Sequence, residues 1–366
     1  MIAVLERASA APYQLSHGEM MELLCLEDTV ELFAAAYQVK VRQIGKRVSL
    51  RGLIELGNYC AKDCLYCGIR KSNQEVMRYR LPADDVVRMA QWSFDHGYGS
   101  VVLQSGEIEA EENTVYIEQL LNRMRQLFGD RLGITLCLGE QTETVYRRWR
   151  EAGAHRYLLR LETSSPELYA QLHPPDHSFD RRRACVQMLK RLGYQTGSGV
   201  MIGLPGQTID DLARDIECFR EMDLDMIGMG PYLPHHQTPL GEALELSKAA
   251  SEKRLQLALK MIAVTRLYLH DVNIASTTAL QALADNGREQ GLLAGANVIM
   301  PNVTDTEYRQ HYQLYENKPC MNENSMQCRN CLQSRVASIG EEILWGERGD
   351  SPHYRQGEKY ETTSSH

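Results

Sequence analysis

Three cysteines close together constrain this chain more than any other feature. Cys60, Cys64 and Cys67 stand at spacing C-x3-C-x2-C within Tyr59–Arg70, YCAKDCLYCGIR, directly after the apolar run Leu50–Leu56. That run reads as a strand, so the thiols lie on a loop just past a strand end. Thiolates are soft ligands that suit iron–sulfur clusters and zinc. A cubane cluster normally takes one protein ligand per iron, and this loop is one short. An iron without a protein ligand can bind a substrate or cofactor directly. A structural zinc site prefers a closed set built from Cys or Cys/His pairs, and no fourth Cys or His follows close by. Unliganded surface cysteines are the remaining alternative.

From residue 50 the text alternates strand and helix. Candidate strands are Leu50–Leu56, Ser100–Ser105, Ile134–Leu138, Tyr157–Leu161, Gly197–Ile202, Met226–Gly230, Val272–Ser276 and Asn297–Met300. Helical patterns fill 82–97, 113–128, 141–152, 178–192, 207–222, 248–269, 279–293 and the chain beyond 304. Short strands rich in Leu and β-branched residues are expected where both faces are covered. Strands alternating with helices in this number point to a complete (βα)8 TIM barrel. An open doubly wound sheet would carry a glycine-rich phosphate turn after its first strand, where the cysteine loop stands instead. The 366 residues then divide into an N-terminal helical cap over 1–48, the barrel over 49–310, a C-terminal segment over 311–345 and a disordered polar tail over 346–366. Ser16 and Glu19 form a capping signature for the cap's helix.

A net charge of −8 argues against a broad nucleic-acid or anionic-membrane surface. The N-terminus lacks a signal-peptide pattern and no apolar run is long enough to span a bilayer. A reducing, cytoplasmic setting follows, in which clustered cysteines among the ten bind metal rather than pair. Cys25, Cys137, Cys185 and Cys218 are scattered and read as mostly core residues.

In a barrel, function collects at the C-terminal strand ends. Those ends carry Gln104, Ser105, Gly106 and Glu107, then Gly139 and Glu140 after a strand that holds Thr135, then Arg160 and Glu162, and later Thr277 and Thr278. Charges inside apolar strands are costly unless paired or bound. Arg160 and Glu162 are therefore the sharpest candidates, with a structural ion pair as the bland alternative. A second group, Cys320, Cys328 and Cys331 at C-x7-C-x2-C, takes either an auxiliary iron–sulfur cluster or zinc.

The first cysteine spacing, with Tyr66 before the last cysteine and a strand ahead, resembles the signature of the radical S-adenosylmethionine (SAM) superfamily. The resemblance implies a 4Fe–4S cluster on Cys60, Cys64 and Cys67. It also implies SAM chelated at the open iron, and one-electron cleavage of SAM to a 5′-deoxyadenosyl radical. Within the superfamily the chain resembles the HydE family of FeFe-hydrogenase maturases. The matching text is LRGLIELGNYCAKDCLYCGIR, MRYR, VVLQSGE, ITLCLGE, HRYLLRLET, GVMIGLPGQT, DMIGMGPYLPH, NIASTTAL, GANVIMPN and YRQHYQLY, in order over about residues 48–335. Methylornithine synthase and biotin synthase share the barrel; a second cysteine group beyond the last strand favours the HydE-like assignment.

That resemblance implies that Tyr66, Ser105, Gly106, Glu107, Arg160, Glu162 and Arg182 bind SAM. It implies that Arg51, Gln104, Thr135, Met226, Thr277, Thr278, Tyr312 and Tyr315 line an inner cavity. The substrate implied is a small organometallic iron–cysteine complex bearing carbon monoxide and cyanide, attacked at the cysteine sulfur. The partners implied are the maturases HydG and HydF and a reductant protein. Other readings are a radical SAM enzyme on another small substrate, or a non-catalytic iron–sulfur carrier. One departure stands out: the family's RHET is Arg160-Leu161-Glu162-Thr163 here. Strand alternation turns Leu161 away from its charged neighbours.

Overall fold

The computed structural model describes residues 1–241 and 247–355. The strands are β1 (Arg47–Leu50), β2 (Gly52–Gly57), β3 (Ser100–Ser105), β4 (Gly133–Cys137), β5 (Arg156–Leu158), β6 (Gln195–Ser198), β7 (Met201–Ile202), β8 (Met226–Ile227), β9 (Gly230–Pro231), β10 (Asn273–Ile274), β11 (Val298–Ile299) and β12 (Glu342–Leu344). The α-helices are α1 (Ile2–Ala10), α2 (His17–Cys25), α3 (Val30–Gln43), α4 (Ala83–Asp95), α5 (Glu111–Phe128), α6 (Glu143–Ala152), α7 (Pro166–Leu172), α8 (Phe179–Arg191), α9 (Ile209–Glu221), α10 (Lys248–Leu269), α11 (Thr278–Leu283), α12 (Gly287–Leu293), α13 (Thr306–Arg309) and α14 (Ser325–Ser338).

Seven parallel strands form the central sheet in the order β10-β8-β6-β5-β4-β3-β2. The segment around β11 bonds on both sides. Asn297 N donates to Ile274 O at 2.9 Å and Ser276 N to Val298 O at 2.8 Å. On the other side Arg51 N donates to Ile299 O at 3.0 Å and Leu53 N to Pro301 O at 2.8 Å. Every predicted strand thus has a counterpart in a TIM-barrel-type α/β fold. The first is divided at Arg51, because β1 pairs with β11 and β12 while β2 pairs with β3.

The helices pack outside the sheet because their apolar stripes must be covered. On α5, for example, Ile117, Leu120, Leu121 and Met124 are buried at helical spacing. The Ser16–Glu19 capping box opens α2 as expected. Helix α1 was not legible, since a short run with Glu6 and Arg7 carries little periodic signal. The N-terminal helices lean on α9 and α10. A fully buried ion pair, Lys40 Nζ to Glu341 Oε2 at 2.6 Å, ties α3 to the C-terminal segment.

The expected disordered tail does not hold for residues 346–355. They cross the N-terminal end of the barrel as a strap. Gly349 O accepts from Asn273 Nδ2 at 2.9 Å, and Asp350 Oδ1 receives Arg156 Nε and His155 Nε2, each at 3.2 Å. Arg156 is fully buried, and a buried cation needs a partner. Asp350 supplies it, which a polar composition alone does not reveal. Residues 356–366 lie outside the described residues.

Candidate active site

The cysteine loop leaves the end of β2 and is held at both edges. Asn58, fully buried, donates through Nδ2 to Met77 O at 2.8 Å and His311 O at 2.6 Å. Ala61 N donates to Glu107 O at 2.8 Å, Leu65 N to Leu172 O at 2.9 Å and Gly68 N to Leu314 O at 3.0 Å. The loop is therefore pinned by β3's extension, by α7 and by the C-terminal segment. Two glycines allow the approach. A Cβ on Gly106 would lie 2.2 Å from Tyr59 O, and one on Gly68 would lie 2.2 Å from Gln313 O.

Inside the loop, the Asp63 carboxylate takes Arg70 Nε and Nη2, each at 2.7 Å, and Ser72 Oγ at 2.7 Å. Arg78, from the MRYR text, donates to four carbonyls: Asn58 O at 2.6 Å, Ile69 O at 2.8 Å, Arg70 O at 2.6 Å and Asn73 O at 3.0 Å. Sequence reasoning quoted MRYR without seeing this role. Cys60, Cys64 and Cys67 are half-buried and unpaired by disulfide. Burial pushes all three thiols up, Cys64 to about 12 and Cys67 well beyond its ordinary value. Each ionises most readily when a metal takes up the charge.

Beside the loop lies a charged frame. Arg182 Nη1 sits 2.9 Å from Glu107 Oε2 and 3.2 Å from Glu140 Oε1. Lys62 Nζ is 3.2 Å from Glu107 Oε1, and Arg181 Nε is 3.1 Å from Glu140 Oε2. Burial alone would pull Arg182 down, but Glu107 and Glu140 outweigh it and hold the guanidinium well above its usual value. Arg182 also donates to Arg160 O at 3.0 Å, joining the frame to the next pair. Arg160 Nη2 lies 3.2 Å from Glu162 Oε2. Burial raises the Glu162 carboxyl, with Arg160 and Arg182 opposing. Glu162 Oε2 and Arg160 Nε have no hydrogen-bond partner among the described residues. Leu161 is 1% exposed and belongs to the main core. The regular strand ends at Leu158, before the predicted Leu161, and Glu162 adopts φ 69 while bridging to Val200.

Deeper in the lumen, Arg51, Thr135 and Met226 line one narrow cavity of about 20 Å³, with Val102, Leu158 and Asn273. Arg51 Nη1 approaches Met226 Sδ at 3.0 Å. Thr135 Oγ1 and Arg51 Nε are buried without a hydrogen-bond partner. Gln104 Nε2 donates to Tyr312 OH at 3.2 Å. Tyr315 is half-buried, pushed up first by burial, with Arg160 and Arg288 near enough to oppose it. Thr277 Oγ1 has no hydrogen-bond partner among the described residues, whereas Thr278 Oγ1 accepts from Arg288 Nη2 at 2.9 Å as α11 begins. The expected cavity residues thus fall into groups rather than one continuous wall. A larger cavity of about 400 Å³ adjoins the loop from the flank, with Tyr59, Cys60, Arg80, Asn113 and Tyr116 in its lining.

In the second cysteine group, Cys320 has φ 63, Cys328 is buried in α14 and Cys331 is exposed one turn on. A hydrogen bond between the two thiols lowers Cys320 and raises Cys328. Sequence reasoning missed His173 and His177, which approach Cys64 from the turn between α7 and α8. The signal was an H-x3-H spacing more than a hundred residues beyond the loop.

Three thiols on one pinned loop, a charged frame, and Arg160 and Glu162 atoms without hydrogen bonds among the described residues fit a 4Fe–4S cluster and an amino-acid-bearing cofactor beside it. Residues 54–219 match the model of the radical SAM superfamily. The class is thereby defined: this is a radical SAM enzyme, and the family brings a 4Fe–4S cluster and SAM. Over 312 residues the chain is 43% identical to the FeFe hydrogenase maturase subunit HydE of Thermotoga maritima, covering 84% of this chain and 85% of that protein. The chain belongs to the HydE family, whose work is hydrogenase maturation. Methylornithine synthase superposes with a TM-score of 0.78 at 24% identity, covering 94% of this chain and 98% of that one. The maturase HydG of Carboxydothermus hydrogenoformans superposes with a TM-score of 0.76 at 20% identity, covering 93% and 78%. These two likenesses speak for the fold alone. Among the described residues no helix is long and apolar enough to cross a membrane.

Proposed function

We propose that Cys60, Cys64 and Cys67 hold the 4Fe–4S cluster and that Ser105, Gly106, Glu107, Arg160, Glu162 and Arg182, with Tyr66, hold SAM. The observation that carries this reading is that Arg160 Nε and Glu162 Oε2 are buried without a hydrogen bond among the described residues, Glu162 facing only the Arg160 guanidinium at 3.2 Å. Buried polar atoms without partners call for a ligand. When bound, the cluster supplies the electron that cleaves SAM and generates the adenosyl radical. The chain's part is to bind and orient. Glu162 offers an acceptor to the ribose hydroxyls. Arg182, held charged by its two acids, offers a cation to the SAM carboxylate.

The substrate on this reading is an iron–cysteine complex bearing carbon monoxide and cyanide, attacked at the cysteine sulfur. Arg51, Gln104, Thr135, Thr277, Thr278, Tyr312 and Tyr315 supply the lumen's donors, which suit an anion, and Met226 completes the lining. HydG delivers the substrate, the product passes towards HydF, and a reductant protein approaches on the flank where Cys60 forms a cavity wall. The setting is cytoplasmic. Cys320, Cys328 and Cys331 hold a second iron–sulfur cluster that the radical step does not need. The test is a hydrogenase maturation mixture lacking HydE, to which this chain is added. Hydrogen evolution should return; its absence with active partners overturns the reading.

A further inference from the structure

His173 and His177 belong to none of the functions above, and they are arranged as ligands. His173 Nδ1 stands 2.9 Å from Tyr169 O, a carbonyl that can only accept, so Nδ1 carries the proton. Nε2 keeps its lone pair, and Tyr66 OH lies 3.2 Å away as its donor. A metal-binding imidazole usually has its other nitrogen tied in this way. The His173 ring is 4% exposed and stacked on Tyr169 at 3.9 Å between centroids, so its direction is fixed. His177, its side chain 5% exposed, presents Nδ1 to Cys64 Sγ at 4.0 Å and has Asp176 3.8 Å behind Nε2. Pro174 and Pro175 stiffen the turn between them.

One donor atom from each of Cys64, His173 and His177 lies within 4.8 Å of the other two. A tetrahedral zinc ion has bonds of about 2.3 Å to sulfur and about 2.0–2.1 Å to nitrogen. Its ligand atoms stand roughly 3.3–3.6 Å apart on that geometry. Small side-chain rotations close the difference, with Tyr66 releasing His173.

We infer that Cys64, His173 and His177 form a site for one divalent ion of the zinc type, with water as the fourth ligand. The site stands on this geometry. A further consequence rests on the assignment of Cys64 to the cluster: the two metal states exclude each other, so zinc in this site blocks cluster assembly.

The test uses the full metal-free chain with Cys320, Cys328 and Cys331 changed to serine, titrated with Zn²⁺ against a chromophoric chelator and with Co²⁺ by absorption. One ion should bind per chain, with Co²⁺ giving tetrahedral d–d bands and a thiolate charge-transfer band. Adding Cys60→Ser and Cys67→Ser should change zinc affinity less than threefold. His173→Ala and His177→Ala should each weaken it at least tenfold. Unchanged affinity in both histidine variants, or loss of binding in the Cys60/Cys67 variant, overturns the site. If an alanine variant fails to fold, His173→Asn and His177→Asn carry the same comparison. Zinc-loaded chain is then offered iron and sulfide. Full iron uptake with zinc retained would overturn the sharing of Cys64 while leaving the zinc site standing.

Discussion

Changing Arg78 to alanine should loosen the cysteine loop without unfolding the barrel. The guanidinium donates to four carbonyls at 2.6–3.0 Å, all on the segment that bears or flanks the cysteines. A hydrogen bond to a charged group contributes about 1.5–3 kcal/mol net, so the gross sum is on the order of 6–12 kcal/mol. Two corrections reduce it. The loop is only half-buried, so freed carbonyls regain water, and fixing an arginine costs about 2 kcal/mol of rotamer entropy. A loss of about 3–5 kcal/mol in loop stability remains, while helices and strands elsewhere keep their contacts. Hydrogen exchange reads this directly: amides of Arg70 and Asn73, bonded to Cys67 O and Arg70 O, should exchange at least a hundredfold faster, with β3 and β4 unchanged. Arg78→Lys should fall between, since an ammonium lacks the planar fork. Iron retained against a chelator should drop in the same order. Exchange at Arg70 and Asn73 within threefold of the parent would refute the clamp.

Glu162→Gln should weaken SAM binding by about 10- to 100-fold, as loss of one charged hydrogen bond predicts, with iron content unchanged; equilibrium binding and iron assay check it. Cys64→Ala should abolish both the cluster signal and SAM cleavage, whereas Cys328→Ala should leave cleavage largely intact. Lys40→Met strands the buried Glu341 carboxylate and should cost about 3–5 kcal/mol in urea unfolding. His353 sits between Asp223 at 2.8 Å and Asp271 at 3.1 Å, whose hydrogen bonds raise it to about 10. Its folded-state pKa is the higher one, so its contribution is complete below the unfolded value near 6.5 and lost as pH rises through about 10. His353→Ala should flatten stability over that window, read as unfolding midpoint against pH.

The barrel was legible because its strands are short, Leu- and β-branched-rich runs with helical patterns between them. The boundaries shifted: β5 stops at Leu158, and Glu162, at positive φ, rejoins the sheet only through a single bridge to Val200. The cysteine loop was legible because ligand spacing is local. The Arg78 clamp, the His173–His177 pair and the Asp350 strap were not, since each joins residues whose meeting depends on the finished fold. Asp350 looks like any tail aspartate until Arg156 is seen beneath it.

Gly68 N bonds to Leu314 O, and Asn58 to His311 O, so the cysteine loop meets part of its native surroundings from far along the chain. A ribosome delivers Cys60–Cys67 early and the covering residues late, and chains fold from the N-terminal side as they emerge. Until residue 314 has been made, the thiols stand without this cover. The loop therefore reaches its full set of hydrogen bonds only late in the making of each molecule.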